Sequence, residues 1–217
     1  MEQNVAPPVN RHVVLELDDS TGAHGSRGQR LAFWINAYNA VVARGITRLA
    51  LRESVWEVPD FFGVVSCRVG ELVLSADDIE HGVLRANRPS PLTGAPPFEH
   101  GDPRLPLVVE PMDARIHFAI SCGARSCPLV RPYDVDALES QLDDATRSYL
   151  AQELTVADHV LFAPELFRWF RDDFEASPGG LQAFLLRHLP PGPVRRAVDE
   201  RGVALIEYRP YDWRLAE

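Results

Sequence analysis

The run from Arg30 to Ala50 constrains the fold of this chain more than any other segment. Its apolar residues recur at helical spacing, and they cover nearly every side of the helix that this spacing predicts. A helix that is apolar on all sides belongs in the interior of a protein. Asn36 and Asn39, which lie one turn apart on it, are then polar groups in an apolar setting and must find hydrogen-bonding partners.

The order of the other predicted elements indicates the α+β class. Helices and strands do not alternate regularly, which argues against a doubly wound sheet. We expect a single compact domain over residues 27–217, with residues 1–26 as a tail and lead-in. In this domain a mixed or antiparallel sheet packs against helices that include the long buried one. The layout is similar to that of papain-like and transglutaminase-like folds, although their nucleophile usually starts the long helix and this helix contains no cysteine.

Local patterns predict individual elements. Ser75 and Asp78 have the spacing of a capping box that opens a helix. Residues 87–111 are rich in Pro and Gly, which predicts a long loop of the kind that often forms the wall of a site. Between Ile116 and Ile120 apolar residues alternate with others, which favours a strand with one face in the core. His117 and Ser121 would then lie on its other face.

Composition excludes several classes of function. The 217 residues carry a formal charge of −9, which argues against a nucleic-acid backbone or an anionic membrane as the main partner. The chain has no Lys, so a Schiff-base mechanism is excluded. No apolar run reaches the length of a membrane span, and the first residues lack the pattern of a secretory signal. Three cysteines make no disulfide framework, so we expect a cytoplasmic protein without a cofactor, acting on a small-molecule or peptide substrate.

The segment from Arg115 to Pro128 carries most of the chemical information in the sequence. It contains His117 and two of the three cysteines, Cys122 and Cys127, with four residues between them. A thiol can be a nucleophile, a metal ligand or one half of a disulfide. Three interpretations of this segment therefore have to be compared.

The first interpretation is a cysteine hydrolase or acyl transferase that acts on an amide or a thioester. Such an enzyme needs a thiolate, a base and a group that orients the base. We slightly prefer Cys122 to Cys127 as the nucleophile, because it directly follows the predicted strand that positions His117. The candidates for the base are His117 and His81, and those for the group that orients the base are Asn36, Asn39 and Asp77; Asn36, Asn39 and His81 would complete the pocket. The side chains expected to bind or support are Asp77, Glu80, Arg125, Ser121 and Tyr38.

Two other interpretations stay open. Four side chains could form a metal site, although two cysteines separated by four residues lie at the edge of the spacing found for structural zinc. These four side chains are His81, His117, Cys122 and Cys127. Alternatively, the two cysteines are a structural or redox-sensing pair in a non-catalytic binding or scaffold domain. The two asparagines are then structural groups that bind loop carbonyls, which is about as compatible with the pattern as a catalytic role.

Five motifs occur in a fixed order along the chain. They are FWINAYNA (Phe33–Ala40), DDIEHGVLR (Asp77–Arg85), ARIHFAISCGARSCP (Ala114–Pro128), ELFRWFRDDF (Glu165–Phe174) and EYRPYDWRL (Glu207–Leu215). Together they resemble the domain of unknown function 547 family, over roughly Arg27 to Leu215. This chain has Pro128-Leu129 where the family often has two prolines, and it ends in WRLAE where WSLN is common. The resemblance implies no established activity.

Overall fold

The computed structural model describes residues 13–17, 20–91, 93–203 and 205–216. Of the tail and lead-in predicted over residues 1–26, residues 1–12, 18 and 19 lie outside the described residues. The described residues form two three-stranded sheets with helices around them, so the α+β class predicted from the sequence is confirmed. None of the helices in these residues is long and apolar enough to cross a membrane.

Each sheet combines one parallel and one antiparallel pair of strands. In the first sheet β2 lies between β1, which is parallel to it, and β3, which is antiparallel. In the second sheet β5 lies between the antiparallel β4 and the parallel β6. The strands are β1 (Val13–Leu17), β2 (Val65–Val69), β3 (Leu72–Ser75), β4 (Thr155–Ala157), β5 (Val160–Pro164) and β6 (Ile206–Arg209). The first strand falls in the predicted lead-in, yet it is paired with β2 along its whole length.

The helices of the described residues range from one turn to six turns. The α-helices are α1 (Ser20–His24), α2 (Arg27–Arg48), α3 (Phe61–Val64), α4 (Leu138–Glu153), α5 (Leu166–Trp169), α6 (Arg171–Glu175), α7 (Gly180–His188) and α8 (Pro193–Arg201). The other helices are a wide-turned π-helix (Asp78–Leu84) and three 3₁₀ helices (Val55–Glu57, Leu105–Leu107 and Ala114–Phe118).

Helix α2 is the long buried helix that the sequence predicts. It begins with a capping box in which Gln29 N–H bonds to Ser26 Oγ while the Gln29 side chain accepts from Ser26 N–H. Gly45 lies so close to Val65 that a Cβ atom would collide with it, which lets α2 pack directly on β2. Eight of the ten buried residues of the helix belong to the first of two hydrophobic cores. The second core lies among α4 to α8 and the second sheet.

The strand predicted for Ile116–Ile120 is wrong. Residues Ala114–Phe118 form a 3₁₀ helix, and Asp113 caps it by accepting a hydrogen bond from Arg115 N–H at 3.1 Å. Every residue from 116 to 121 is buried, so the side chains do not alternate between core and solvent. His117 and Ser121 therefore do not share an outward face. The apolar residues and the residues between them are all buried, so the alternation in the sequence does not mark a solvent-facing side.

Other local predictions had mixed outcomes. The capping box is confirmed, with Asp78 N–H 3.0 Å from Ser75 Oγ and Ser75 N–H 2.9 Å from Asp78 Oδ2, and the helix after it is a π-helix. The described residues of the range 87–111 form the predicted loop apart from one 3₁₀ turn. The ELFRWFRDDF motif lies on two short helices, α5 and α6, because the backbone of Phe170 leaves helical geometry between them.

Candidate functional site

A cavity of about 310 Å³ opens where four parts of the chain meet. They are α2, the π-helix, the segment from Arg115 to Pro128, here called the cysteine segment, and residues 210–216, here called the C-terminal segment. Its lining is mostly aromatic and apolar, with two carboxylates, two imidazoles and both cysteines of the cysteine segment. The lining residues used below are Tyr38, Trp56, Phe62, Asp77, Glu80, His81, His117, Cys122, Cys127, Trp169, Phe170, Tyr211 and Trp213. The site residues that the sequence singled out are thus partly brought together.

Cys122 and Cys127 are joined as a disulfide, with their Cα atoms 6.2 Å apart. Gly123 follows with a positive φ of 84°, and a side chain there would also collide with Ile46, so the turn requires glycine. The hydroxyl of Tyr211 lies 3.0 Å from Cys127 Sγ. A disulfide sulfur carries no hydrogen, so the tyrosine donates, and Cys122 N–H donates to the same sulfur at 2.9 Å.

Asp173 is the centre of a buried ionic network beside the cavity. Its carboxylate accepts two hydrogen bonds from Arg85, at 2.6 and 3.2 Å, and one from Arg88, at 2.9 Å. His117 Nε2 lies 2.9 Å from Asp173 Oδ2. Burial alone raises the pKa of Asp173, but the hydrogen bonds from His117 and Arg85 outweigh it and hold this pKa well below its usual range.

The protonation of His117 and the position of its ring follow from this network. An ionised carboxylate only accepts hydrogen bonds, so Nε2 of His117 carries the proton that it donates to Asp173. The imidazole also stacks on Phe170, with ring centroids 4.1 Å apart. These two contacts fix the ring at the edge of the cavity.

His81 lies on the other side of the same network as a neutral ring. Its Nδ1 is 3.0 Å from Arg85, which can only donate, so Nδ1 accepts and Nε2 carries the proton. Burial, assisted by the charges of Arg85 and His117, lowers the pKa of His81 despite the opposing effect of Glu80. Asp77 Oδ1 lies 3.8 Å from His81 Nε2, so these two side chains lie close together but outside hydrogen-bonding distance.

The two carboxylates of the cavity are in unlike environments. Tyr38 donates its hydroxyl proton to Glu80 Oε2 at 3.0 Å. Burial of Tyr38 and the charge of Glu80 raise the pKa of this phenol well above its ordinary value, so it stays protonated. Burial and the neighbouring carboxylates, Glu80 first, raise the pKa of Asp77 to about 7.

The two asparagines of α2 lie outside the cavity lining and bind backbone. Asn39 receives a hydrogen bond from Ser121 N–H and donates one to Ala119 C=O, both at 2.9 Å. Asn36 pairs in the same way with the N–H and C=O of Tyr133, at 2.9 and 2.8 Å. They therefore hold the chain on either side of the turn from Cys122 to Cys127, which is the structural role that the sequence left open.

Two further residues of the sequence prediction, Ser121 and Arg125, are also absent from the cavity lining, as is the third cysteine, Cys67. The hydroxyl of Ser121 accepts a hydrogen bond from Gly123 N–H at 3.3 Å, and Arg125 bonds the C-terminal segment. Cys67 lies in the first core, where burial raises the pKa of its thiol to about 12. Within the part of the chain that the structure describes, His, Cys, Asp and Glu side chains form no group of three or more that could hold a metal ion.

Sequence reasoning missed Asp173 and most of the aromatic lining. Tyr211 and Trp213 reach the cavity because the C-terminal segment crosses the cysteine segment, with Arg125 N–H bonded to Arg214 C=O at 2.8 Å. Trp169 and Phe170 come from the break between α5 and α6. The motifs that contain these residues were visible in the sequence, but nothing in their spacing indicates that they meet the cysteines.

The fold and site define a class of α+β domain whose aromatic cavity has a cysteine pair, two imidazoles and two carboxylates in its wall. Residues 23–150 match the family model described as "Protein of unknown function, DUF547". This match covers more than half of the chain, and the chain belongs to that family. Searches of curated proteins and of solved structures found no match. The matched region holds both cysteines and both imidazoles, whereas Asp173, Trp169, Tyr211 and Trp213 follow it.

Proposed function

We propose that this protein is a thiol-dependent hydrolase or acyl transferase that acts on an amide or thioester once the Cys122–Cys127 disulfide is reduced. One observation carries the proposal. Both cysteines and His117 line one cavity, and a buried carboxylate holds the imidazole through Nε2. A nucleophile, a base and a group that orients the base are the components that cysteine enzymes use.

In this proposal Asp173 is the positioning residue that the sequence assigned to Asn36, Asn39 or Asp77. Because it accepts the Nε2 proton of His117, it fixes both the tautomer and the plane of the ring. Nδ1 of His117 then takes the proton of the thiol. Asp173 remains ionised throughout, since Arg85 and Arg88 also bind it.

The hydrogen-bond donors around the sulfurs favour Cys127 as the nucleophile. Its sulfur accepts from Cys122 N–H and from Tyr211, whereas Cys122 Sγ lies 3.5 Å from the same hydroxyl. Donors that are directed at a sulfur stabilise its thiolate and lower the pKa of the thiol. The sequence-based preference for Cys122 rested on a strand that does not exist.

The proposed reaction begins with reduction of the disulfide by a dithiol, which is itself oxidised to a disulfide. His117 accepts the thiol proton, and the thiolate attacks the carbonyl carbon to form a C–S bond. Collapse of the tetrahedral intermediate breaks the C–N or C–S bond of the substrate, and His117 returns the proton to the leaving amine or thiol. Water or another acceptor nucleophile then loses a proton to His117 and releases the acyl group from the enzyme sulfur.

A second candidate function is a non-catalytic binding domain whose cysteine pair is structural or redox-sensing. The disulfide itself favours it, because neither sulfur is then a nucleophile. The predicted cytoplasmic location bears on the choice, since the cytosol keeps most thiols reduced and an oxidising compartment keeps a disulfide closed. A cytoplasmic protein would therefore present the dithiol form.

The deciding experiment compares the oxidised and the phosphine-reduced protein in hydrolysis of a neutral acyl thioester, with release of the thiol as the readout. We expect activity in the reduced form only, and its loss in C127S. The matched control is C67S, which removes the buried thiol outside the cavity and leaves the activity unchanged. Activity that survives both C122S and C127S, or no activity in the reduced protein with a panel of thioesters and amides, would overturn the proposal.

A further inference from the structure

The cavity wall contains more aromatic surface than an acyl-transfer centre needs. Trp213 packs against Trp56 with ring centroids 4.8 Å apart at 64° and against Tyr211 at 4.7 Å and 53°. Trp169 continues this surface, 5.0 Å from Tyr211 at 51°. These three pairs of rings are steeply tilted, whereas Trp169 and Trp213 are stacked with ring centroids 5.8 Å apart at 28°, so the rings together form one continuous aromatic wall. Phe62 and Phe170 extend the lining on either side.

The charges of the cavity have one sign. Asp77 and Glu80 line it, and none of the arginines in the described residues does. The chain contains no lysine. Arg85 lies behind the ring of Phe170, 4.8 Å from its centroid, and is bound by Asp173. A ligand in the cavity therefore meets aromatic rings and carboxylates, and a guanidinium group only behind a ring.

We infer that the cavity binds a small organic cation, an alkylated ammonium group, and that this group is part of the substrate. Aromatic rings attract such a cation through their quadrupoles, and carboxylates attract it through charge. An alkylated ammonium has a weakly held hydration shell, so rings can replace the water around it. A hard metal cation would instead need several oxygen ligands, and two carboxylates do not supply them. Only the step from occupant to substrate rests on the proposed function.

The protonation of Asp77 supports the inference. Its pKa of about 7 is the result of burial and of neighbouring negative charge, and a bound cation would offset that charge. Binding of a cation should therefore release a proton near pH 7 and become stronger as the pH rises from 6 to 8. The charged groups that set this pKa are Glu80, Asp60 and Asp78, and the titratable side chains of His81 and Tyr38 also lie near Asp77.

The test uses two probes of the same shape, choline and its uncharged analogue 3,3-dimethylbutan-1-ol. Binding to the disulfide form is measured by calorimetry and by quenching of tryptophan fluorescence, so no turnover interferes. We expect choline to bind about tenfold more tightly than the alcohol. Equal or tighter binding of the alcohol, or no binding of choline at millimolar concentration, would overturn the inference.

Variants distinguish the attraction by aromatic rings and the attraction by carboxylate charge from a general loss of structure. W213L should weaken choline binding about tenfold, since the pocket stays apolar but loses a ring face. The double variant D77N/E80Q should weaken choline binding and leave that of the alcohol unchanged. F33L is the control, because Phe33 packs on Trp34 and does not line the cavity. If D77N/E80Q binds choline as tightly as the wild type, the inference is wrong.

The two proposals fail independently. A reduced enzyme that hydrolyses neutral thioesters but does not bind choline would leave the proposed function standing and remove the cation. Choline binding to a protein without thiol-dependent activity would remove the enzyme and leave a cation-binding domain.

Discussion

His117 Nε2 lies 2.9 Å from Asp173 Oδ2, although 56 residues separate them in the chain. This contact joins the cysteine segment to helix α6, and through Arg85 it joins both to the π-helix. The same carboxylate therefore stabilises the fold and orients the ring that borders the cavity. Its removal should affect stability first and the site second.

The variant D173A should lower the free energy of unfolding by about 3–5 kcal/mol, because it leaves two guanidinium groups beside an empty buried position. Urea unfolding measures the loss. The control is D172A at the adjacent exposed position, which should change stability by no more than about 0.5 kcal/mol. Equal effects of the two variants would show that the buried network does not contribute to stability.

The variant N39A should destabilise the protein by about 2–4 kcal/mol. It leaves the buried C=O of Ala119 and N–H of Ser121 without their partner. The matched control is R44A, an exposed position on the same helix. Urea unfolding compares the stabilities of the two variants. A loss of stability in N39A no larger than that in R44A would contradict the structural role of Asn39.

The role of Asn39 shows which parts of the structure could be predicted from the sequence. Helical spacing revealed α2 and its burial, because a helix with apolar residues on all sides has only one stable location. It followed that the two asparagines need partners, but the partners lie 80 or more residues away and no local pattern names them. A catalytic role and a structural role were therefore equally compatible with the two asparagines until the fold was known.

Contacts between residues that are distant in the sequence also explain why parts of the site were not predicted. Asp173 resembles the acidic residue of an ordinary helix face, and only the folded chain brings Arg85 and His117 to it. The Ile116–Ile120 pattern was misread because alternation predicts a strand only when one side faces solvent, and here both sides are buried. By contrast, Ser75 and Asp78 are three residues apart, and their predicted contact is confirmed.

Removal of the Tyr211 hydroxyl should make the Cys127 thiol less reactive near neutral pH, because the thiolate loses a hydrogen-bond donor. In a C122S background, where Cys127 has no disulfide partner, Y211F should slow alkylation by iodoacetamide at pH 7 roughly three- to tenfold. The control Y208F in the same background should leave the rate unchanged. Cys67 does not interfere, since it is buried and its thiol pKa is about 12.

The pKa of Asp77 predicts a pH dependence of stability with a definite sign. Its folded-state pKa of about 7 lies above the unfolded value of about 3.9, so between pH 4 and 7 the folded protein holds more protons than the unfolded chain. The contribution of Asp77 to stability therefore falls as the pH rises through this range. His81 contributes the opposite slope, because burial lowers its pKa.

Comparison with the variant D77N isolates the contribution of Asp77 from that of His81. Relative to the wild type, D77N should gain stability between pH 5 and pH 8, seen as a rising difference between the urea midpoints of the two proteins. The side chain of Asp77 is 40% exposed, so solvent screening keeps the gain modest. The exposed variant E71Q should follow the wild type at both pH values. If D77N also follows the wild type, the carboxyl of Asp77 titrates at its ordinary pKa, and the proton release expected on binding of a cation would be lost with it.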